Sequence, residues 1–139
     1  MKLITDRTQN DVTEKTTKGQ YNYTDLNRVE AAVKALAETL TAYGYTTTVE
    51  TKTDYVEGQT LTLEDMDRYI DNVHKCVRQF CSAGYELPKT LDGIDYIGAN
   101  NIEKTLVGIE KLLEYMLAVM RYSGTFYSGN EGLRGGYCL

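Results

Sequence analysis

Three stretches of this chain repeat apolar residues at alternating steps of three and four, and no other feature constrains the fold as strongly. This spacing places the apolar side chains on one face of an α-helix. The stripes are Leu26, Val29, Val33, Leu36, Leu40 and Tyr43; Leu63, Met66, Ile70, Val73, Val77 and Phe80; and Ile102, Leu106, Ile109, Leu113, Met116 and Met120. Because each helix must bury its stripe, the sequence predicts a mainly α domain, a three-helix bundle.

Capping signals set the expected limits of these helices. Thr62 followed by Asp65 is typical of a helix N-terminus, and Gly44 can adopt the positive φ of a helix C-terminus. Thr8 followed by Asp11 predicts a further short helical turn. The three long helices are predicted from about Thr24 to Gly44, from Thr62 to Phe80, and from Asn100 or Asn101 to about Tyr122.

A change of period between the first two helices predicts a small β element. Residues 45–56 show a period of two, in which Tyr, Thr and Val alternate with more polar residues. This pattern is typical of a half-buried strand. Thr125–Tyr127 in the C-terminal tail is the candidate strand that pairs with it. We expect a single domain over residues 1–139, of which the Gly-rich end, about 130–139, is a flexible tail.

Charge and hydropathy narrow the possible partners. The 139 residues carry a net charge of −5, with acidic and basic residues interspersed, so no clustered basic face is available for nucleic acid or an anionic membrane. No run approaches the roughly 20 apolar residues of a membrane span. Residues 1–7 lack the apolar segment of a secretory signal. We therefore expect neither nucleic acid nor membrane as partner, and synthesis in the cytoplasm.

No constellation of residues indicates catalysis. His74 is the only histidine, and it has no evident nucleophile or pocket beside it. Glu64, Asp65 and Asp67 do not have calcium-loop spacing and are better explained as first-turn acids that complement a helix dipole. The glycines after Gly129 lack the Lys-Ser or Lys-Thr of a phosphate loop. The sequence therefore predicts no catalytic residue, no metal site, no cofactor and no enzymatic activity.

The cysteine pattern indicates reduced thiols. The chain has three cysteines, Cys76, Cys81 and Cys138, and no CxxC motif. Cys76 and Cys81 are five residues apart on one predicted helix and point to different sides, so a disulfide between them is geometrically poor. All three are expected to be free thiols.

Several segments in a fixed order resemble a small module of phages and prophages of gut Firmicutes. The module occurs as a short open reading frame and within longer tail-associated structural proteins. The segments are Ile4–Thr8, Tyr21–Val29, Asp65-Met66 with Arg68-Tyr69 and Asn72-Val73, Ala99–Glu103, and the Tyr-Ser-Gly pairs at 122–124 and 127–129. The resemblance covers about residues 3–129. The segment from Asp11 to Tyr21 is shorter than in relatives, and Arg121 stands where they often carry Trp.

The resemblance implies a virion or phage-assembly role and no reaction. We expect a phage structural protein of the tail or its appendages, which acts through protein–protein contacts and resides in the virion after assembly. The alternative is a small phage-encoded binding protein or inhibitor that acts on a host protein in the cytoplasm. Detection of the chain in purified virions would discriminate between them.

The C-terminal half of the third helix is the candidate interface. That helix is apolar beyond its stripe, and the extra surface leads to an aromatic tail, so a contiguous exposed patch is expected there. The predicted interface residues are Met116, Met120, Tyr122, Phe126 and Tyr127. Closed symmetry is the usual outcome for a self-complementary patch, so the expected partner is a second copy of the chain or another virion protein.

Overall fold

The computed structural model describes residues 2–79 and 85–123, with side chains as far as residue 119. This part of the chain is mainly helical. Its helices are α1 (Gln9–Thr13), α2 (Tyr23–Ala42), α3 (Leu63–Gln79) and α4 (Tyr96–Ser123). The long helices α2, α3 and α4 correspond to the three predicted ones, and α1 is the predicted short turn.

The helix starts are set by reciprocal caps, two of which the sequence predicts correctly. Thr62 Oγ1 accepts from the Asp65 N–H at 3.1 Å, and Thr8 begins α1 in the same way. The predicted cap of α2 is wrong. Asn22, not Thr24, is the cap, because its Oδ1 accepts from the Thr24 N–H at 2.9 Å while Asp25 reaches back to Asn22.

The predicted start of α4 is also wrong, whereas the predicted end of α2 is confirmed. Asp95 Oδ1 accepts from the Gly98 N–H at 2.7 Å, so α4 begins at Tyr96, one turn before its apolar stripe. At the other end of α2, Gly44 has a φ of 93°, and the Tyr45 N–H donates to the Leu40 carbonyl at 2.8 Å. That is the hydrogen bond of a glycine-terminated helix.

The three long helices point in the same direction. Arg28 of α2 pairs with Glu103 of α4, and further along both helices Leu36 lies across from Leu113. Residues 45–56 run back along α2, with Thr47 bonded to Thr41 and Tyr55 to Asn27. The same segment runs backwards along α3, so α3 is parallel to α2 as well.

One hydrophobic core lies between α2, α3 and α4, as the apolar stripes predict. Its fully buried side chains include Val29, Val33 and Leu40 of α2, Tyr69 and Val73 of α3, and Ile102, Leu106 and Ile109 of α4. Tyr43 and Leu63 are exceptions, because both are exposed at helix ends. Phe80 and the side chain of Met120, which also belong to the stripes, lie outside the described part of the chain. Cys76 is a free, buried thiol, and burial raises its pKa to about 11.

Residues 45–56 form no strand, and no strand occurs among residues 2–79 and 85–123. The segment nevertheless buries Tyr45, Thr47 and Tyr55 while their neighbours face outward, which explains the period of two. It lies between α2 and α3, so side chains of the helices take the place of a second strand. For example, Glu30 Oε2 accepts from the Lys52 N–H at 3.0 Å.

Three helix asparagines each hold both backbone polar groups of one residue in a non-helical segment. Asn27 of α2 holds Tyr55, at 2.9 Å for both bonds. Asn72 of α3 holds Glu50, at 2.7 Å to the carbonyl and 3.4 Å from the N–H. Asn100 of α4 holds Arg7, at 2.9 and 3.0 Å. We call these three residues the asparagine clamps. They supply the hydrogen bonds that a neighbouring strand would provide.

Removal of one clamp is expected to destabilise the fold. Asn72→Ala removes two part-buried hydrogen bonds of a buried side chain, to the Glu50 carbonyl and from the Glu50 N–H, so the free energy of unfolding should fall by about 1–3 kcal/mol. Asn101→Ala is the matched control, because Asn101 makes one exposed bond, to the Glu86 carbonyl at 3.0 Å. The gain in helix propensity is the same in both variants. Urea unfolding followed by circular dichroism measures the difference, and equal losses would contradict the role of the clamp.

Candidate protein–protein interface

The C-terminal part of α4 extends beyond the buried core. Among residues 96–119 of α4, whose side chains the structure describes, Leu113 is the last buried one, and the helix continues to Ser123. With 28 residues α4 spans about 42 Å, against about 30 Å for the 20 residues of α2. The described side chains of α4 after Leu113 are half-buried or exposed.

An apolar face on this part of α4 is exposed to solvent. Leu112, Tyr115 and Val119 are spaced three and four apart, so they share one side of the helix. Their exposed fractions are 37%, 69% and 55%. We call these three residues the outer face of α4. Contiguous exposed apolar surface of this kind is typical of a contact site.

A groove of about 220 Å³ lies between α2 and α4 at the same level of the bundle. Its floor is apolar, and two acidic residues of α4 stand at its edge. The lining residues are Ala35, Leu36, Thr39 and Tyr43 of α2 and Glu110, Leu113, Glu114 and Leu117 of α4. We call this space the upper groove. It faces α2, whereas the outer face of α4 lies on a different side of the helix.

The lower part of the same α2–α4 furrow is filled by residues 3–8, which are fastened by buried charges. Arg7 donates to Asp25 Oδ1 at 3.0 Å and to Glu103 Oε1 at 2.7 Å, and its side chain is 2% exposed. Arg28 contacts the same two oxygens at 2.5 and 2.8 Å. The Ile4 N–H donates to Glu103 Oε2 at 2.6 Å. We call Arg7, Arg28, Asp25 and Glu103 the ionic cluster.

The ionic cluster is balanced in charge, with two guanidinium groups facing two carboxylates. Burial lowers the pKa of Arg28, but the contacts with Glu103 and Asp25 outweigh burial and raise the pKa above its ordinary value. Arg7 also donates to the backbone carbonyls of Ile4 and Lys18. The cluster therefore ties the N-terminal segment to both α2 and α4.

The predicted interface residues fall partly within the described chain. Met116 is half-buried and packs on the core, with its Sδ accepting from the Tyr45 hydroxyl at 3.8 Å. Met120 and Tyr122 lie on the last turns of α4, and their side chains are not described. Phe126 and Tyr127 lie outside the described residues. The exposed residues Leu112 and Tyr115 were not predicted, although their spacing of three was a signal for a second face.

A second, larger groove of about 730 Å³ lies at the end of the bundle where the long helices begin. Tyr21, Tyr23 and Tyr55 line it together with Val56 and Met66. The hydroxyls of Tyr21 and Tyr69 share a hydrogen bond below it, and burial raises the pKa of both. This groove is therefore walled by rigid aromatic side chains with polar tips.

The remaining sequence candidates are surface or boundary residues. His74 is half-exposed on α3, and Asp65 in the first turn of that helix accepts from the hydroxyl of its cap, Thr62. Within residues 2–79 and 85–123, no three His, Cys, Asp or Glu side chains are grouped to hold a metal ion. No helix in this part of the chain has the length and apolarity needed to cross a membrane.

Comparison of the chain with protein-family models, with curated proteins and with solved structures finds no match. The interface candidates therefore depend on the geometry of this chain alone.

Loss of Arg7 is expected to release the N-terminal segment. Arg7→Ala leaves Asp25 and Glu103 buried with one guanidinium instead of two, so the free energy of unfolding should fall by about 3–5 kcal/mol. Lys18→Ala is the control, because Lys18 makes an exposed ion pair with Asp6 of the same segment, and its loss should lower the free energy of unfolding by less than about 1 kcal/mol. Urea titration measures both, and similar values would show that the cluster does not fasten residues 3–8.

Proposed function

We propose that the chain is a structural protein of a phage tail or tail appendage, which acts through protein–protein contacts and resides in the virion after assembly. The proposal starts from the resemblance of residues 3–129 to the phage module described above. The observation that supports it best is the outer face of α4, where Leu112, Tyr115 and Val119 are exposed together. An exposed apolar surface on a helical bundle whose N-terminal segment is held by the ionic cluster suits a role in assembly.

The partner in this proposal is a second copy of the chain or another virion protein. Tyrosine supplies a large rigid contact area at low entropic cost, and Tyr115 is the most exposed tyrosine among the large exposed apolar side chains of the described chain. Met120, Tyr122, Phe126 and Tyr127 would extend the contact towards the C-terminus. The predicted pairing of residues 45–56 with Thr125–Tyr127 also stays a prediction, since Thr125–Tyr127 lies outside the described residues.

Substitution of the outer face should weaken assembly without unfolding the chain. The double variant Leu112→Ser and Tyr115→Ser removes two exposed apolar side chains, so self-association should weaken about tenfold or more. Sedimentation velocity over a concentration series measures this. Val56→Ser with Leu63→Ser is the control, because these two apolar residues are also exposed, at 62% and 67%, and lie outside α4. Association that persists unchanged in the α4 variant would place the interface elsewhere.

Mass spectrometry of purified phage particles tests the location. Peptides of the chain should sediment with particles from the phage or induced prophage that encodes it, after a density gradient that removes soluble host proteins. A chain that is found in the infected cell and is absent from the particles would contradict the structural role. In that case the alternative, a phage-encoded binding protein or inhibitor of a host protein in the cytoplasm, is favoured.

The alternative has a candidate surface of its own. The groove walled by Tyr21, Tyr23 and Tyr55 has the size of sites that take a side chain or a short peptide of a partner. Substitution of Tyr23 by Ala would then abolish binding to the host protein, whereas substitution of Tyr115 by Ala would not.

A further inference from the structure

The groove of about 730 Å³ where the long helices begin is lined by two turns of the same design. We call it the lower groove. The first turn contains Glu57-Gly58 and the second contains Asp92-Gly93. Both glycines have a positive φ, 79° and 69°, which the third position of such a turn reserves for glycine. Each turn is closed by a backbone hydrogen bond of 3.2 Å between its first and fourth residues. Two separate parts of the chain thus each bring an acidic residue to the groove.

Neither of these carboxylates has a cationic partner within the described chain. Glu57 and Asp92 are exposed, and they make no ion pair with any residue that the structure describes. None of the described residues that line the lower groove is Lys or Arg. The groove therefore carries negative charge that its own walls do not compensate. Charge complementarity favours a cationic occupant.

The tyrosines of the lower groove show that aromatic rings here accept cations. The Arg7 guanidinium lies 5.5 Å from the centroid of the Tyr21 ring, and Lys52 Nζ lies 4.9 Å from that of Tyr55. Tyr23, the third tyrosine of the groove, is 36% exposed, and no cation of the described chain lies over its ring. Since the face of an aromatic ring attracts a positive charge, Tyr23 offers a ring to a cation from outside.

The floor of the lower groove is apolar. Leu26 and Leu91 are buried there, and Leu61 and Met66 are half-buried against the core. A volume of about 730 Å³ is within the range of sites that enclose a ligand larger than a single side chain. The floor can therefore take apolar side chains that flank a cationic one.

We propose that the lower groove binds an arginine of a partner protein, carried on an exposed segment with apolar residues beside it. The guanidinium lies over Tyr23, and Glu57 and Asp92 compensate its charge. Arginine suits the groove better than lysine, because its planar group stacks on a ring and pairs with carboxylates at the same time. This inference goes beyond the assembly role of the outer face of α4 and does not depend on it, because the groove lies at the opposite end of the bundle.

A peptide titration of the full-length chain tests the proposal. The probe is acetyl-Ser-Leu-Arg-Leu-Ser-amide, and the methionine methyl groups of the protein are labelled with ¹³C. The Met66 signal, in the groove, should shift and saturate at millimolar peptide, whereas that of Met116, which contacts Tyr45 at the other end, should not. A matched peptide with citrulline in place of arginine keeps the shape without the charge, and should bind about tenfold more weakly.

Removal of the two carboxylates tests the charge complementarity. In the variant Glu57→Gln with Asp92→Asn, the affinity for the arginine peptide should fall about tenfold, to that of the citrulline peptide. The control, Glu38→Gln with Glu114→Gln, removes the same charge from exposed positions in the second halves of α2 and α4, and should leave the affinity unchanged. Equal losses in both variants would mean that only the net charge matters, and would overturn the proposal.

A pair of tyrosine variants tests the stacking. Tyr23→Leu should weaken the arginine peptide several-fold, whereas Tyr43→Leu should not, since Tyr43 is similarly exposed, at 39%, beyond the other end of α2. Circular dichroism confirms that both variants are folded. Equal affinities of the two variants would overturn the stacking on Tyr23.

Three further outcomes would overturn the proposal as a whole. The first is a Met66 signal that does not move with the arginine peptide. The second is equal affinity for the arginine and citrulline peptides, which would make the groove a site for apolar side chains alone. The third is a Met66 signal that moves with the concentration of the chain when no peptide is present, which would assign the groove to a second copy.

Discussion

Every connection between the long helices has to return along the bundle, because α2, α3 and α4 point in the same direction. A returning segment has backbone N–H and C=O groups that need partners when they lie against a core. In the connection between α2 and α3, side chains of the helices supply them, above all the asparagine clamps Asn27 and Asn72. The third clamp, Asn100, does the same for the N-terminal segment at Arg7. The parallel arrangement of the helices therefore requires returning segments, and the clamps satisfy the backbone of those segments. Where no segment returns, the surface of the helices remains uncovered.

The ionic cluster adds a second kind of fastening at one end of the α2–α4 furrow. Replacement of buried ion pairs by apolar residues is often neutral or stabilising, so the value of such a cluster lies in specificity. Arg7 satisfies two carboxylates and two backbone carbonyls at once, which only one path of residues 3–8 permits. Residues 3–8 are therefore held in one register, and they cover only the lower part of the furrow between α2 and α4.

The sequence predicted the three helices and most of the core, because the apolar stripes carry that information directly. It could not predict that Asn22 rather than Thr24 caps α2, since both are good caps two residues apart. The period of two over residues 45–56 correctly indicated alternate burial, but periodicity does not distinguish pairing with a strand from pairing with helix side chains. Arg7 and Glu103 are 96 residues apart, so nothing local marks them as partners. An interface on the C-terminal half of α4 stays a prediction, whereas the exposure of Leu112 and Tyr115 required the structure.

The sequence separation of Arg7 from Glu103 has a consequence for folding during synthesis. On the ribosome, Arg7 emerges roughly 5 to 20 s before Glu103 at ordinary rates of elongation. During that interval α2 and α3 can form, but the N-terminal segment has no α4 to dock on. Its charges stay hydrated until the last helix is released, so the N-terminus is among the last parts to reach its place. A long-range contact of this kind slows folding and couples its completion to the end of synthesis.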